Sequence, residues 1–217
     1  MARIDDYQQA LALVRGELSE KNPKQVANFS KAELLQDSEG EYFFSLHFLK
    51  KEIKISWPDL VVSTKQSDEE LSIQQQVLLL HYMLGAGSTS GSGITGEWIA
   101  FQDIPDGRFY LDAFLKRAKV PLVGAFGTRP EKLIEVASKA YGAVPFDHGD
   151  CSVLVKALPL IDVALILWKG DDEFPPEGNV LFDKSISMIL SAEDVAWLAG
   201  MIVYPLIGMA NRIEHSA

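Results

Sequence analysis

Cysteine is nearly absent: Cys151 is the only one among 217 residues. No internal disulfide can form, and this chain alone cannot build a four-thiolate iron–sulfur cluster or zinc site. Basic residues are outnumbered, 20 Lys and Arg against 30 Asp and Glu, leaving a net charge of −10. An acidic surface repels phosphate backbones, so nucleic acid is not expected as a partner. Long apolar runs are few. Residues 195–210, between Asp194 and Asn211, carry no charge, but a membrane span needs about 20 such residues. This run also contains Gly200, Pro205 and Gly208. It reads as a buried terminal helix, kinked near Pro205, and no membrane segment is expected. The opening residues, Met1-Ala2-Arg3-Ile4-Asp5-Asp6, lack the apolar stretch of a secretory signal. With no disulfide framework either, the expected location is cytoplasmic.

What is present is enough to fold. Hydrophobic residues make up 47% of the chain, which excludes a disordered or collagen-like protein. Ile4, Tyr7, Leu11, Val14 and Leu18 recur every three or four positions and predict a helix over residues 3–19. Alternation of Tyr42, Phe44, Leu46 and Phe48, then of Ile53, Ile55 and Trp57, predicts a hairpin turning at Lys50-Lys51, with a short third strand from Leu60. Ser67-Asp68-Glu69-Glu70 has the form of a capping box opening a helix that would end at Gly85 in the left-handed conformation. A helix from near Asp106 to about Lys119 follows, then one opened by Thr128-Arg129-Pro130-Glu131 and running to about Tyr141.

The apolar runs Cys151 to Ala157 and Leu160 to Trp168 read as two buried strands either side of Leu158-Pro159. Asp183 is placed to cap a short helix at 184–190, and Ser191-Ala192-Glu193-Asp194 starts the terminal one. Strands grouped early and late, with helices between and after, indicate an α+β fold: a largely antiparallel sheet of two hairpins packed against a layer of helices. The expected organisation is one domain over residues 1–217, with helix 3–19 at its periphery.

Two motifs fail on context. The Gly/Ser/Thr-rich stretch 85–96 follows a helix and contains no Lys or Arg, whereas a phosphate loop follows a strand and opens a helix. A lid or connector is the better reading. Gly87-Ser88-Thr89-Ser90-Gly91 has Thr at the centre of its near-elbow and lacks the strand-then-helix setting of a hydrolase nucleophile. His81, on the apolar face of its helix, is a candidate ligand contact, although interior histidines are usually satisfied core residues. His47 and His215 offer less.

The informative constellation flanks the late strand pair. Asp147-His148-Gly149-Asp150-Cys151 precedes it, and Trp168-Lys169-Gly170-Asp171-Asp172-Glu173-Phe174-Pro175-Pro176 follows. An antiparallel hairpin turning at Leu158-Pro159-Leu160 would place Asp150 near Trp168 and bring both clusters to one end of a sheet. Like charges at close range are unfavourable unless solvent, a cation or a proton relieves them. Three readings stay open. The carboxylates fan into water or cap turns. Asp147, His148, Asp150, Cys151 and Asp171 hold a hard divalent cation such as Mg²⁺ or Ca²⁺, and zinc less readily. Or one carboxyl keeps its proton and works as a general acid or base. Trp168, Asp171, Asp172, Glu173 and Phe174, with His81, are the candidate ligand contacts. The terminal helix, through Trp197, Met201, Tyr204 and Met209, is a candidate face for a second copy or another protein.

One resemblance runs through these residues. His81-Tyr82, Gly96-Glu97-Trp98-Ile99, Phe101, Ile104-Pro105, Gly107, Phe109-Tyr110, Phe114, Pro121-Leu122 and Phe126-Gly127 occur in that order. Gly149-Asp150, the run from Trp168 to Pro175, Leu181-Phe182-Asp183 and Glu193-Asp194 follow. The chain so resembles an uncharacterised prokaryotic family, domain of unknown function three-seven-eight-six, from about residue 25 to residue 210. The resemblance implies no catalytic residue. Some members look fused to an N-terminal iron–sulfur domain of the kind found in corrinoid proteins. The first 25 residues here contain no cysteine, so such a connection would need a separate iron–sulfur or corrinoid partner protein.

Overall fold

The computed structural model describes residues 4–67, 69–89 and 93–215. Two compact units emerge. The first runs to Gly93 and takes in Leu158–Leu160 and Met188–Leu190; the second comprises Ile94–Ala157, Ile161–Ser187 and the chain from Ser191 onward.

In the first unit, α1 (Ile4–Ser19) and α2 (Pro23–Ser30) precede a four-stranded antiparallel sheet of β1 (Glu33–Gln36), β2 (Tyr42–Phe48), β3 (Lys51–Ser56) and β4 (Val62–Thr64), in that order. The period-three-to-four pattern of α1 is realised, with Leu11, Val14 and Leu18 buried. The β2–β3 turn falls one residue earlier than the sequence suggests. Leu49 and Lys50, at φ 48° and 71°, form its two-residue loop, a mirror-image turn whose twist matches the flanking strands.

Both helices pack against α3 (Ile73–Ala86). Its capping box is Ser72 with Gln75, not Ser67 with Glu70. Glu69 and Glu70 are instead drawn along β4: Thr64 N–H donates to the Glu69 carbonyl at 3.0 Å, and Glu70 bridges Ser63. Asp68 lies outside the described residues. Gly85 is not a left-handed terminus either, because α3 continues through it. A Cβ there would lie 1.9 Å from the carbonyl oxygen of Ile189, so close backbone approach requires glycine.

In the second unit, β5 (Trp98–Ala100), β6 (Val144–Pro145), β7 (Cys151–Leu158), β8 (Ile161–Trp168) and β9 (Glu177–Asp183) form a five-stranded sheet ordered β5-β9-β8-β7-β6. Val163, Leu165, Leu167, Val180 and Phe182 are fully buried or nearly so. The helices of this unit are α4 (Gly107–Phe114), α5 (Val120–Phe126), α6 (Pro130–Tyr141) and α8 (Ala192–His215), while the short α7 (Ile186–Ile189) has residues in both units. The fold class is α+β, as the grouping of strands and helices indicated.

The helix expected to stop near Lys119 runs on, because a π-helical turn at Leu115–Lys119 joins α4 to α5. Pro121 explains it: proline has no N–H to donate back to the preceding turn, and the wider turn absorbs the interruption. Arg117 from this turn lies over the Trp197 ring of α8, 4.1 Å from its centroid. The Thr128–Glu131 box does not form; Arg129 occupies the N-cap, and its side chain does not cap the helix. At α8 the expected cap is present, Ser191 Oγ accepting the N–H of Asp194 at 3.2 Å. Among the described residues, α8 alone is long and apolar enough to cross a membrane, by length and composition only, and 56% of its apolar window is buried.

Candidate functional site

The open end of the β7–β8 pair joins the two acidic segments. Asp150 N–H donates to the Leu167 carbonyl at 3.0 Å, and Asp150 Oδ2 accepts the N–H of Lys169 at 2.7 Å. The sequence places these segments together through the hairpin alone, and the hydrogen bonds tie them.

Two of the acids, Asp150 and Asp171, bond the backbone. Asp171 Oδ1 accepts the N–H groups of Phe174 at 2.8 Å and Glu173 at 2.9 Å. These bonds hold its carboxyl below the usual carboxylate range. Asp171 N–H returns the contact, donating to the Phe174 carbonyl at 2.8 Å. The turn so closed leaves no room inside: a Cβ on Gly170 would stand 2.6 Å from Pro176 N. Among the described residues, no three or more of His, Cys, Asp and Glu gather into a set able to hold a metal ion. Asp147, His148, Asp150, Cys151 and Asp171 thus share a rim without converging on one point.

Beyond the acids, the rim is aromatic. The His148 ring is stacked on Phe146, centroids 4.6 Å apart and planes 10° from parallel. Gly149 has φ +63°, and a Cβ there would meet Ile166 Cγ2 and the Leu167 carbonyl at 2.8 Å and Trp168 Cε2 at 3.2 Å. Only glycine lets the segment lie this close to β8 and its terminal indole. Trp168 and Phe174 are 39% and 67% exposed. Asp147, Asp172 and Glu173 are exposed. His81 belongs to α3 of the first unit and is half-buried. On α8, Tyr204 is exposed while Trp197, Met201 and Met209 are half-buried.

Three features of the second unit lay beyond the sequence reading. Trp98, on β5, meets Phe146 edge-on at 4.9 Å, although Phe146 follows β6 and those strands occupy opposite edges of the sheet. Asp183, 1% exposed, clamps the segment before β5. Its Oδ1 accepts from Thr95 N–H and Oγ1, both at 3.0 Å, and from Ser185 N–H at 2.9 Å; its Oδ2 accepts from Gly96 N–H at 2.6 Å. Burial pushes its carboxyl up, but the bonds from Ser185, Thr95 and Gly96 outweigh this and hold it below the ordinary value. Asp162 is the reverse case. Burial pushes its carboxyl up, Lys156 partly offsets this, Asp183 adds to it, and Oδ1 is buried without a hydrogen-bond partner. A lone Asp inside Ile161-Asp162-Val163-Ala164-Leu165 was the available signal for it.

These features define a two-sheet α+β protein whose second sheet carries a braced, aromatic and acidic rim. The chain belongs to the family described as Domain of unknown function (DUF3786), which matches residues 22–204. No curated protein and no solved structure matches it significantly.

Proposed function

We propose that the second unit is a binding module whose rim, formed by residues 146–151 and 168–176, takes a small ligand with a flat apolar face and a positive charge. What carries this reading is the exposure of Phe174 on a loop closed by the Asp171 turn. Burying a phenyl side chain is worth roughly 1.5–3 kcal/mol, and this one is held out in water by an ordered loop. A preordered loop loses little conformational freedom on binding, so more of the contact energy appears as affinity.

Charge selects the ligand's sign. Asp147, Asp172 and Glu173 are exposed on the same two segments as Trp168 and Phe174, against Lys169 as the one Lys or Arg there, and both carboxylates and aromatic faces attract cations. Such a site differs from the divalent-metal centre that the acidic spacing suggested, because among the described residues its carboxylates do not converge into a metal-binding set.

Benzamidine, a planar aromatic cation, tests the reading against benzoate, its anionic counterpart of similar shape. Titration followed by amide NMR should shift Lys169–Phe174 with benzamidine and leave them in place with benzoate. Equal responses, or none with either, contradict the proposal. A carboxylate acid–base role is a second reading. The observation favouring it is the half-buried Asp162, at the end of β8 opposite Trp168.

A further inference from the structure

The Trp98–Phe146 contact links parts of the second unit that topology separates. Strands β5 and β6 are four intervals apart in the sheet order, and at about 4.8 Å per interval their side chains meet only over a face of the sheet. Register identifies that face. Trp98 pairs with Asp183, and Ala100 with Leu181; Leu181 pairs with Ala164, and Asn179 with Ile166. Gly149 lies against Ile166 of the same row. The segment carrying Phe146, His148 and Gly149 therefore crosses the face on which Trp98 stands.

Each member is fixed by a different device. Phe146 is anchored by its N–H donating to the Ser152 carbonyl at 3.1 Å, and its own carbonyl accepts from Ser152 Oγ. His148 N–H donates to the same hydroxyl oxygen at 3.2 Å. Trp98 is held by β5, whose three residues pair with β9 and whose approach is pinned by the Asp183 clamp on Thr95 and Gly96. So short a strand has little pairing of its own, which leaves the clamp as the principal constraint on where the indole sits.

We propose that Trp98 and Asp183 are positioning residues of the rim: Asp183 fixes the entry to β5, β5 fixes Trp98, and the indole fixes the Phe146 ring on which His148 is stacked. This rests on the rim being the ligand site and adds how its imidazole is held. Neither residue touches the ligand. His148 presents its outer face to solvent because its inner face is occupied, and the inner face stays occupied because Trp98 backs Phe146.

The test uses the full chain and needs no ligand for its first reading. In W98A, the imidazole proton resonances of His148 should move toward free-histidine values as the Phe146 ring loses its support, while the Glu173 and Phe174 amides keep their positions. W98F should retain wild-type His148 resonances. In D183N, the Thr95 and Gly96 amides should exchange faster, and His148 should move in the same direction as in W98A. With benzamidine as probe, W98A should weaken binding about 2–10-fold, the range an aromatic pair supports. Unmoved His148 resonances in both W98A and D183N overturn the inference, as does faster Thr95 exchange in D183N with His148 unmoved. Should W98A fail to fold, W98F and D183N decide by the same resonances. Absence of benzamidine binding to the wild type counts against the ligand site alone, and the His148 shifts still judge the positioning.

Discussion

The backbone N–H of Lys169 donates to Oδ2 of Asp150 at 2.7 Å, across 19 residues of sequence. Both strands of the β7–β8 hairpin lie between them, so one carboxylate closes the open end that the chain reversal leaves behind. Replacing it with Ala should leave the hairpin paired but its end frayed. The Lys169 amide should exchange faster in D150A than in the wild type, with D150N, which keeps one side-chain oxygen, in between. Equal exchange in all three would mean that the bond contributes nothing to the rim.

Asp162 and Asp183 are pushed in opposite directions, which gives the pair a pH signature. Asp162 has a folded pKa above its ordinary 3.8. Its stabilising contribution is complete below that value and is lost as pH rises through the folded pKa, so D162N should be more stable than the wild type at pH 7. That advantage should vanish once the pH falls below about 4. Asp183 has a folded pKa below 3.8, so its contribution is present above that value and lost as pH falls through the folded one. D183N should cost about 1–3 kcal/mol at neutral pH, as expected when buried donors lose a charged acceptor, and the deficit should shrink in acid. Denaturant unfolding of the three proteins from pH 3 to pH 8 reads both signs.

Two left-handed glycines of the second unit separate backbone strain from collision. Gly142 and Gly149 have φ of +65° and +63°, but a Cβ would meet nothing within 4 Å at Gly142 and three atoms within 3.2 Å at Gly149. G142A should cost about 1 kcal/mol, the penalty of the conformation alone. G149A should cost more, by about 1–3 kcal/mol, as overpacking does. Thermal melts compare them directly, and equal losses would show that the segment over β8 yields freely.

What was legible in the sequence is what local spacing encodes. The helix over Ile4–Ser19, the β2–β3 hairpin, the β7–β8 pair and the meeting of Asp150 with the start of the 169–176 segment all follow from periodicity and a single reversal. The capping box is ambiguous in the sequence because Ser67 with Glu70 and Ser72 with Gln75 satisfy the same four-residue pattern, and only the pairing of Glu70 with Ser63 distinguishes them. Strand β9 escaped because Gly178 and Asn179 interrupt its apolar alternation. Gly178 is there for space: a Cβ would lie 2.8 Å from Val123 Cγ2. The Trp98–Phe146 contact joins residues brought together by strand order, and strand order leaves no trace in local spacing.

Phe174 separates stability from binding. Being 67% exposed, it contributes little to the core, so F174S should melt within about 0.5 kcal/mol of the wild type. Loss of the phenyl should nevertheless remove most of the benzamidine response. A large fall in stability would mean that Phe174 is a structural residue of its loop.

An ordered aromatic and acidic rim should select flat cations. The most direct measurement is the paired titration of wild type and F174S with benzamidine and benzoate, read at the Lys169, Glu173 and Phe174 positions. Saturable shifts are expected for the wild type with benzamidine alone, and their loss in F174S. Shifts of the same size in both proteins, or with both compounds, would contradict it.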